Sequence, residues 1–396
     1  MTDPALPPRP VPRWLHLWAV ATVCATLALL VLGQMVTSFR AGMADPVWPT
    51  EPWYLFNNYR LDFGYLIEHT HRIMGFLVGG LVSVLALGLW ATHPVAAARY
   101  AGLVGLVVLL GAFGEFHRAL IAQREPGVPV VVPQPVVITM LVALAASVFL
   151  TVGGLIAGNR GGAARAAGLV GLVFVMIQGL LGGFRVKLNE LVGTDLAAVH
   201  GVFGQVTFAA LVTVAVLTAR PPATDFDAPL RKRLARTTGD LVGLLFVQLT
   251  LGAWVRHSPD SLGQRLHILV AFLAVAKVVS LLRELFTTPA ARPRVAPWGV
   301  ALGLLVALQV TLGVEAWMGK FGEEARRGQP AGVFLPENET VTVKQAAVRT
   351  AHALVGTGVL AAAVGLAVRV RARKPAGAEE GAGGPAPVLV TAGETR

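Results

Sequence analysis

Ten long runs of apolar residues constrain this chain more than any other feature of its sequence. A membrane-spanning helix needs roughly 20 mostly apolar residues, and ten stretches are of this kind: 14–38, 66–90, 99–114, 136–157, 165–185, 195–218, 238–256, 264–285, 297–317 and 347–369. Because 55% of the residues are hydrophobic and only 14% are charged, the chain has more apolar surface than a soluble core could bury. The sequence predicts an all-α polytopic membrane protein.

Basic residues predict how these spans are oriented. Lys and Arg accumulate in cytoplasmic loops, and under a ten-span topology the basic clusters share one side of the membrane: Arg9 and Arg13, Arg160 and Arg165, Arg231 to Arg236, Arg292 and Arg294, and Arg369 to Lys374. We therefore expect a multi-pass protein of the prokaryotic cytoplasmic membrane with both termini in the cytoplasm. The net charge of +11 indicates attraction to lipid headgroups, and we expect no nucleic-acid partner.

A short phrase recurs near the outer end of several predicted helices. It reads Gln178 to Gly182, Gln248 to Gly252 and Gln309 to Gly313, with a fainter Leu32-Gly33-Gln34 in the first span. Each copy precedes a helix that carries a histidine near its outer end. Four such units predict two pseudo-symmetric four-helix bundles, although Leu-Gly is frequent in apolar helices and no single copy is informative.

The repeat divides the chain into two halves. We expect a cytoplasmic tail at 1–13, an N-terminal half at 14–218, a linker at 219–237, a C-terminal half at 238–370 and a disordered cytoplasmic tail at 371–396. Two spans fall outside the four units and predict an inserted transmembrane hairpin at 97–158. Its outer end holds Glu115, His117 and Arg118, which we interpret as a surface loop and not as a third site.

Four histidines lie at equivalent positions of the repeated unit. Neutral imidazole is a common ligand of haem iron, and a six-coordinate haem between helices takes one imidazole from each side. His71 with His200, and His267 with His352, would supply two such metal-binding pairs. A lone histidine in a membrane helix more often forms a hydrogen bond between helices, but four at equivalent positions favour ligation.

Arginines accompany the four histidines. Guanidinium groups bind carboxylates through charge-assisted hydrogen bonds, so four of them are candidates for binding haem propionates: Arg72, Arg185, Arg265 and Arg349. For Arg185 and Arg265 the alternative is that the side chain only extends to the membrane interface.

Glu68 distinguishes the first histidine pair from the second. The positions three before His200, His267 and His352 hold Ala197, Gln264 and Arg349. A carboxylate beside an apolar pocket can transfer a proton or stabilise a developing cation, and ionisable residues in membrane helices are commonly functional. We therefore expect a catalytic site in the first half and an electron-transfer site in the second. The alternative for Glu68 is a salt bridge to Arg72 or Arg118.

Taken together, these motifs resemble the haem A synthase family. The resemblance covers nearly all of the chain except the tails and the inserted hairpin, and it is carried by these segments: Glu68 to Arg72, Gln178 to Val186 leading to His200, Leu251 to Arg256 leading to His267, Leu312-Gly313 leading to His352, and the first external loop from Val36 to Pro49. The chain departs from many bacterial members in lacking a cysteine pair in that loop, because its single cysteine is Cys24.

The resemblance implies an oxidoreductase that oxidises the C8 methyl group of haem O, through hydroxylation, to the formyl group of haem A. It implies substrate haem O at His71 and His200, a haem b cofactor at His267 and His352, and a catalytic role for Glu68. The implied partners are an electron donor, the haem O synthase and the terminal oxidase, and a homo-oligomer is compatible with it. Two other functions remain open: a diheme electron-transfer cytochrome of b type, and a solute transporter.

Overall fold

The computed structural model describes residues 11–44, 62–122, 132–159, 161–187, 195–219, 226–257, 261–289, 292–322 and 342–371. Within these ranges the regular structure is helical, with no strand. Ten of the described helices are long and apolar enough to cross a membrane. This agrees with the predicted all-α, multi-pass membrane protein.

Each predicted span coincides with one helix. The helices are α1 Arg13–Ser38, α2 Phe63–Ala91, α3 Ala96–Ala122, α4 Gln134–Ile156, α5 Gly162–Lys187, α6 Asp195–Thr218, α7 Ala228–His257, α8 Ser261–Thr287, α9 Arg292–Trp317 and α10 Val343–Arg371. A π-helical turn, Met318–Gly322, directly follows α9. The predicted tails and part of the first external loop, at 1–10, 45–50 and 372–396, lie outside the described residues.

The largest differences from the predicted boundaries are at the start of α7 and the end of α3, because a helix can continue beyond its apolar part. Helix α7 begins ten residues before the predicted span, so the basic cluster of the predicted linker 219–237 is helical. The Asp227 side chain accepts a hydrogen bond of 2.9 Å from the backbone N–H of Leu230, and such a cap satisfies a donor that a helix start leaves unpaired. Helix α3 continues to Ala122.

The extension of α3 corrects the interpretation of Glu115, His117 and Arg118 as a surface loop, since all three are helical. Arg118 and Glu115 form an exposed ion pair of 2.7 Å one turn apart, which suits a helix surface. The ring of His117 packs near Phe76 and Phe113. The nearest proline that could end the helix is Pro126.

Helices that follow one another pack as antiparallel pairs. Extensive contacts join α1 with α2, α3 with α4, α5 with α6, α7 with α8, and α9 with α10. Further contacts join α2 with α5 and α1 with α6, and likewise α8 with α9 and α7 with α10. The hairpin of α3 and α4 packs on α2 and α5.

Helix α10 is the most buried of the ten and contacts α1 and α6 as well as its neighbours α7 and α9. Its buried positions include small residues such as Ala362, Ala363 and Gly365, and small side chains allow helix backbones to approach closely. The ring of Trp298 on α9 fills the space beside Gly365. Helix α10 therefore lies where the N-terminal and C-terminal helices meet.

Candidate functional site

The imidazoles of the four predicted ligands each pack against a glycine of the preceding repeat helix. A Cβ atom on the glycine would lie close to Cε1 of the ring: 2.9 Å for Gly33 and His71, 3.3 Å for Gly182 and His200, 3.2 Å for Gly252 and His267, and 3.0 Å for Gly313 and His352. Such distances are tighter than ordinary contacts, so glycine makes room for the ring. The repeated Leu-Gly phrase of the sequence thus corresponds to a repeated helix-to-imidazole contact.

Backbone carbonyls fix the ring tautomer in two of these histidines. Nδ1 of His71 lies 3.1 Å from the carbonyl oxygen of Leu29, and Nδ1 of His267 lies 3.2 Å from that of Gln248. Because a carbonyl oxygen can only accept, Nδ1–H must donate, and the lone pair then resides on Nε2. Metal-binding histidines are commonly held in this way, with the second nitrogen as the ligand atom.

A glutamine amide faces Nε2 of three of the rings. The distance between the amide nitrogen and Nε2 is 3.3 Å for Gln178 and His200, for Gln248 and His267, and for Gln309 and His352. Each glutamine stands four residues before the glycine that packs on the same ring. In α1 the equivalent position is Leu29, so His71 differs from the other three in this respect.

His267 and His352 face each other from α8 and α10. Their ring centroids are 6.4 Å apart, with an angle of 74° between the ring planes. Two imidazoles bound to one metal ion through bonds of roughly 2 Å have ring centroids roughly 6.3 Å apart. The ring spacing is thus compatible with two ligands of one metal ion, while in this structure each Nε2 faces a glutamine amide.

His71 and His200 occupy the corresponding helices of the N-terminal half, α2 and α6, and are close enough to interact electrostatically. Among the residues that the structure describes, no group of three or more His, Cys, Asp or Glu side chains is arranged to hold a metal ion.

Glu68 is buried, with 3% of its surface exposed. Its Oε1 accepts a hydrogen bond from Nη2 of Arg72 at 2.7 Å, one turn along α2. Of the two ion-pair partners considered for Glu68, the structure selects Arg72, because Arg118 pairs with Glu115 on the surface. Glu68 stands one turn before His71 on α2, and the ion pair with Arg72 orients its carboxylate.

Arg185 joins this group from the C-terminal end of α5. It lies within electrostatic range of Glu68, Arg72 and both imidazoles of the pair. Its guanidinium lies directly against Gly42, where a Cβ atom would overlap it. Two of the predicted propionate-binding arginines, Arg72 and Arg185, are thus brought together at the first pair.

The arginines of the second half are placed differently. Arg265 is on the exposed side of α8, whereas Arg349 is half-buried on α10, one turn before His352.

Sequence reasoning assigned no site role to Arg256, whose guanidinium donates hydrogen bonds to Gln34 and Ser38 of α1. The sequence could have indicated a site role for Arg256, because Gln248, Gly252 and Arg256 stand four residues apart and therefore share one face of α7.

Comparison of the chain with protein-family models and with curated proteins gives no match. The functional assignment therefore depends on the residues of the site and their geometry.

Proposed function

We propose that this protein is a haem A synthase, an oxidoreductase that converts the C8 methyl group of haem O, through hydroxylation, to a formyl group. The observation that carries the proposal is an asymmetry between two similar sites. Both imidazole pairs have the same glycine contacts, but only the first has a buried carboxylate, Glu68, one turn away on the same helix. Two similar sites, of which only one has a buried carboxylate, suit an enzyme that oxidises its substrate at one site and transfers electrons at the other.

The proposed architecture is two pseudo-symmetric four-helix bundles with an inserted transmembrane hairpin. The contacts of α1, α2, α5 and α6 close one ring of helices, and those of α7, α8, α9 and α10 close another. In each ring the two histidine-bearing helices are diagonal to each other. The hairpin of α3 and α4 packs outside the first ring, against α2 and α5.

The residues present fit two porphyrins. His71 and His200 would hold the substrate haem O, and His267 and His352 would hold a haem b cofactor, which when bound supplies one-electron transfer. Arg72 and Arg185 are placed to bind propionates at the first pair, and Arg349 is placed to do so at the second. Arg265 could reach a propionate only from the exposed side of α8.

Glu68 is the proposed catalytic residue. Burial places its carboxylate in a medium of low dielectric constant, where its interaction with a developing positive charge is strong. Arg72 fixes Oε1 at 2.7 Å, so the carboxylate keeps one orientation relative to His71. From that position it can accept a proton released during methyl oxidation or stabilise positive charge at the reacting carbon.

We place the protein in the prokaryotic cytoplasmic membrane with both termini in the cytoplasm. Helices α7 and α9 begin, and α10 ends, with basic residues at one side: Arg231 to Arg233, Arg292 and Arg294, and Arg369 and Arg371. Under this orientation the imidazoles lie near the outer surface. An electron donor, the haem O synthase and the terminal oxidase are the proposed partners, together with membrane lipid and no nucleic acid; a homo-oligomer is compatible with this arrangement.

One alternative is favoured by a specific observation. The glycine and glutamine contacts are nearly the same at both pairs, which suits a diheme electron-transfer cytochrome of b type that binds two permanent cofactors. Such a carrier would need no buried carboxylate at one pair.

Glu68→Gln separates these functions. We would express the chain beside a haem O producer, extract the haems and resolve them by chromatography. The synthase requires that the parent forms haem A and that Glu68→Gln forms at least tenfold less while retaining bound haem. Glu115→Gln is the matched control, since it breaks an exposed glutamate–arginine pair and should leave haem A unchanged. Undiminished haem A in Glu68→Gln would refute the assignment, and a purified parent without haem absorbance would favour a transporter.

A further inference from the structure

Arg256 connects the two groups of helices at their outer end. It stands near the C-terminus of α7, and its guanidinium donates from Nη1 to the side-chain oxygen of Gln34. From Nη2 it donates to Oγ of Ser38 at 2.6 Å and to the backbone oxygen of Gln34 at 3.4 Å. A residue of the C-terminal half thus binds the last two turns of α1, in the N-terminal half.

The same hydrogen-bond network continues into α10. Oγ1 of Thr350 donates to Oγ of Ser38 at 2.9 Å, and both side chains are buried. Thr350 is two residues before His352 on α10. One guanidinium therefore connects α7, α1 and α10 through a continuous set of side-chain hydrogen bonds.

Each end of this network lies next to a contact of the candidate ligands. Gln34 follows Gly33, against which the ring of His71 packs. Arg256 stands one turn after Gly252, against which the ring of His267 packs. The guanidinium is also within electrostatic range of His352. Arg256 therefore binds the residue next to Gly33, which packs on His71, and stands one turn from Gly252, which packs on His267.

Among the residues that the structure describes, the guanidinium of Arg256 binds neutral acceptors. These acceptors are Gln34 and Ser38, and the charge of Arg349 is nearby. Lys320 lies close by as well, donating to the backbone oxygen of Val255 at 2.7 Å. Arginine remains protonated in proteins, and a charge surrounded by little water acts over a longer distance than an exposed one.

We propose that Arg256 is a positioning residue that holds the two imidazole pairs in a fixed relation and whose charge raises the reduction potential of a haem bound at His267 and His352. This inference rests on the proposed function, because it requires porphyrin iron at that pair. Reduction of ferric to ferrous iron removes one positive charge from the metal. A fixed cation nearby therefore favours the ferrous form, and its removal lowers the reduction potential.

The test uses full-length protein with haem b as the probe at both pairs, titrated potentiometrically while the absorbance of each haem is followed. Arg256→Gln should shift the midpoint potential of the haem at His267 and His352 to a more negative value. Arg256→Lys keeps the charge but loses the two-pronged hydrogen bond, so both potentials should stay near the parent values while the low-spin ferric spectrum of the first-half haem changes. Arg369→Gln is the matched control, because Arg369 packs on Trp298 near the other end of α10; it should shift neither potential.

A second variant protects the test against misfolding. Gln34→Glu would place a carboxylate against the guanidinium, which neutralises the charge locally while retaining the contact, and it should also shift the potential of the second-half haem negatively. A bound second-half haem whose potential is unchanged in both Arg256→Gln and Gln34→Glu would overturn this inference and leave the proposed function standing. Failure of the parent protein to bind haem would instead overturn the proposed function.

Discussion

The side-chain amide nitrogen of Gln309 lies 3.3 Å from Nε2 of His352. The same relation holds at His267 and His200, whereas His71 has Leu29 at the equivalent position. Where Nδ1–H donates to a carbonyl, as in His267, an amide N–H is the group that donates to the Nε2 lone pair. Coordination of a metal by Nε2 would replace that hydrogen bond.

Leu29→Gln tests whether this difference matters for ligand binding. The new amide would face Nε2 of His71, and haem would have to displace one more hydrogen bond, worth about 1 kcal/mol. We expect the affinity of the first pair for haem to fall about fivefold, as measured by titration with haemin. Leu27→Gln adds the same group on the exposed side of α1 and should leave the affinity unchanged. Equal affinities in the parent and in Leu29→Gln would contradict the prediction.

Gly33→Ala tests the contact between glycine and imidazole. The added Cβ would stand 2.9 Å from Cε1 of His71, and the ring must rotate to relieve the overlap. We expect a changed spectrum and severalfold weaker binding for the first-half haem, with an unchanged second-half haem. Gly79→Ala on α2 is the control, because nothing lies within 4 Å of a Cβ there. Identical spectra for Gly33→Ala and the parent would show that the ring is not constrained by α1.

Thr357→Val tests the contact between the two groups of helices. Oγ1 of Thr357 donates to the side-chain oxygen of Gln205 at 2.9 Å, and both residues are buried. The change leaves a buried acceptor without its donor, at a cost of about 1–3 kcal/mol. We expect a lower thermal midpoint in detergent. Thr311→Val, on an exposed part of α9, should keep the parent midpoint, and an equal loss in both variants would argue against a specific role for the pair.

His93 predicts a pH dependence of stability on the other side of the membrane. Burial lowers the pKa of His93 below its ordinary value of 6.5, although Nδ1 also lies 3.1 Å from the backbone oxygen of Val95, a contact that partly raises this pKa. The fold therefore favours the neutral ring, and stability should fall as the pH drops below about 6.5, because the unfolded chain then binds the extra proton. Thermal midpoints between pH 8 and pH 5 should decline more steeply for the parent than for His93→Gln. Parallel curves would exclude His93 as the cause.

Hydropathy predicted the number of helices because a membrane span has a fixed minimum length, but it could not predict where the helices end. Asp227 caps α7 well before its apolar part begins, and α3 continues through polar residues to Ala122. Both extensions depend on capping and on surface ion pairs, which a hydropathy pattern does not include.

The sequence predicted the candidate site only to the extent that helical spacing shows which residues share one face of a helix. Glycine one turn after glutamine marks the face that meets an imidazole at His200, His267 and His352, whereas at His71 the glycine is present without the glutamine. The contact of Arg256 with Gln34 was not predictable, because spacing within α7 shows which face the side chain shares but not which helix it meets. Leu29 was missed for a related reason, since the faint first copy was recognised from Leu-Gly alone.

The pairing of Gln205 with Thr357 bears on whether the halves could ever substitute for each other. Each residue stands five positions after the histidine of its own helix, so the two occupy corresponding places relative to His200 and His352. A chimera made of two N-terminal halves would set glutamine against glutamine there, and one made of two C-terminal halves would set threonine against threonine. Only the combination of the two different halves therefore provides both the donor and the acceptor of this hydrogen bond.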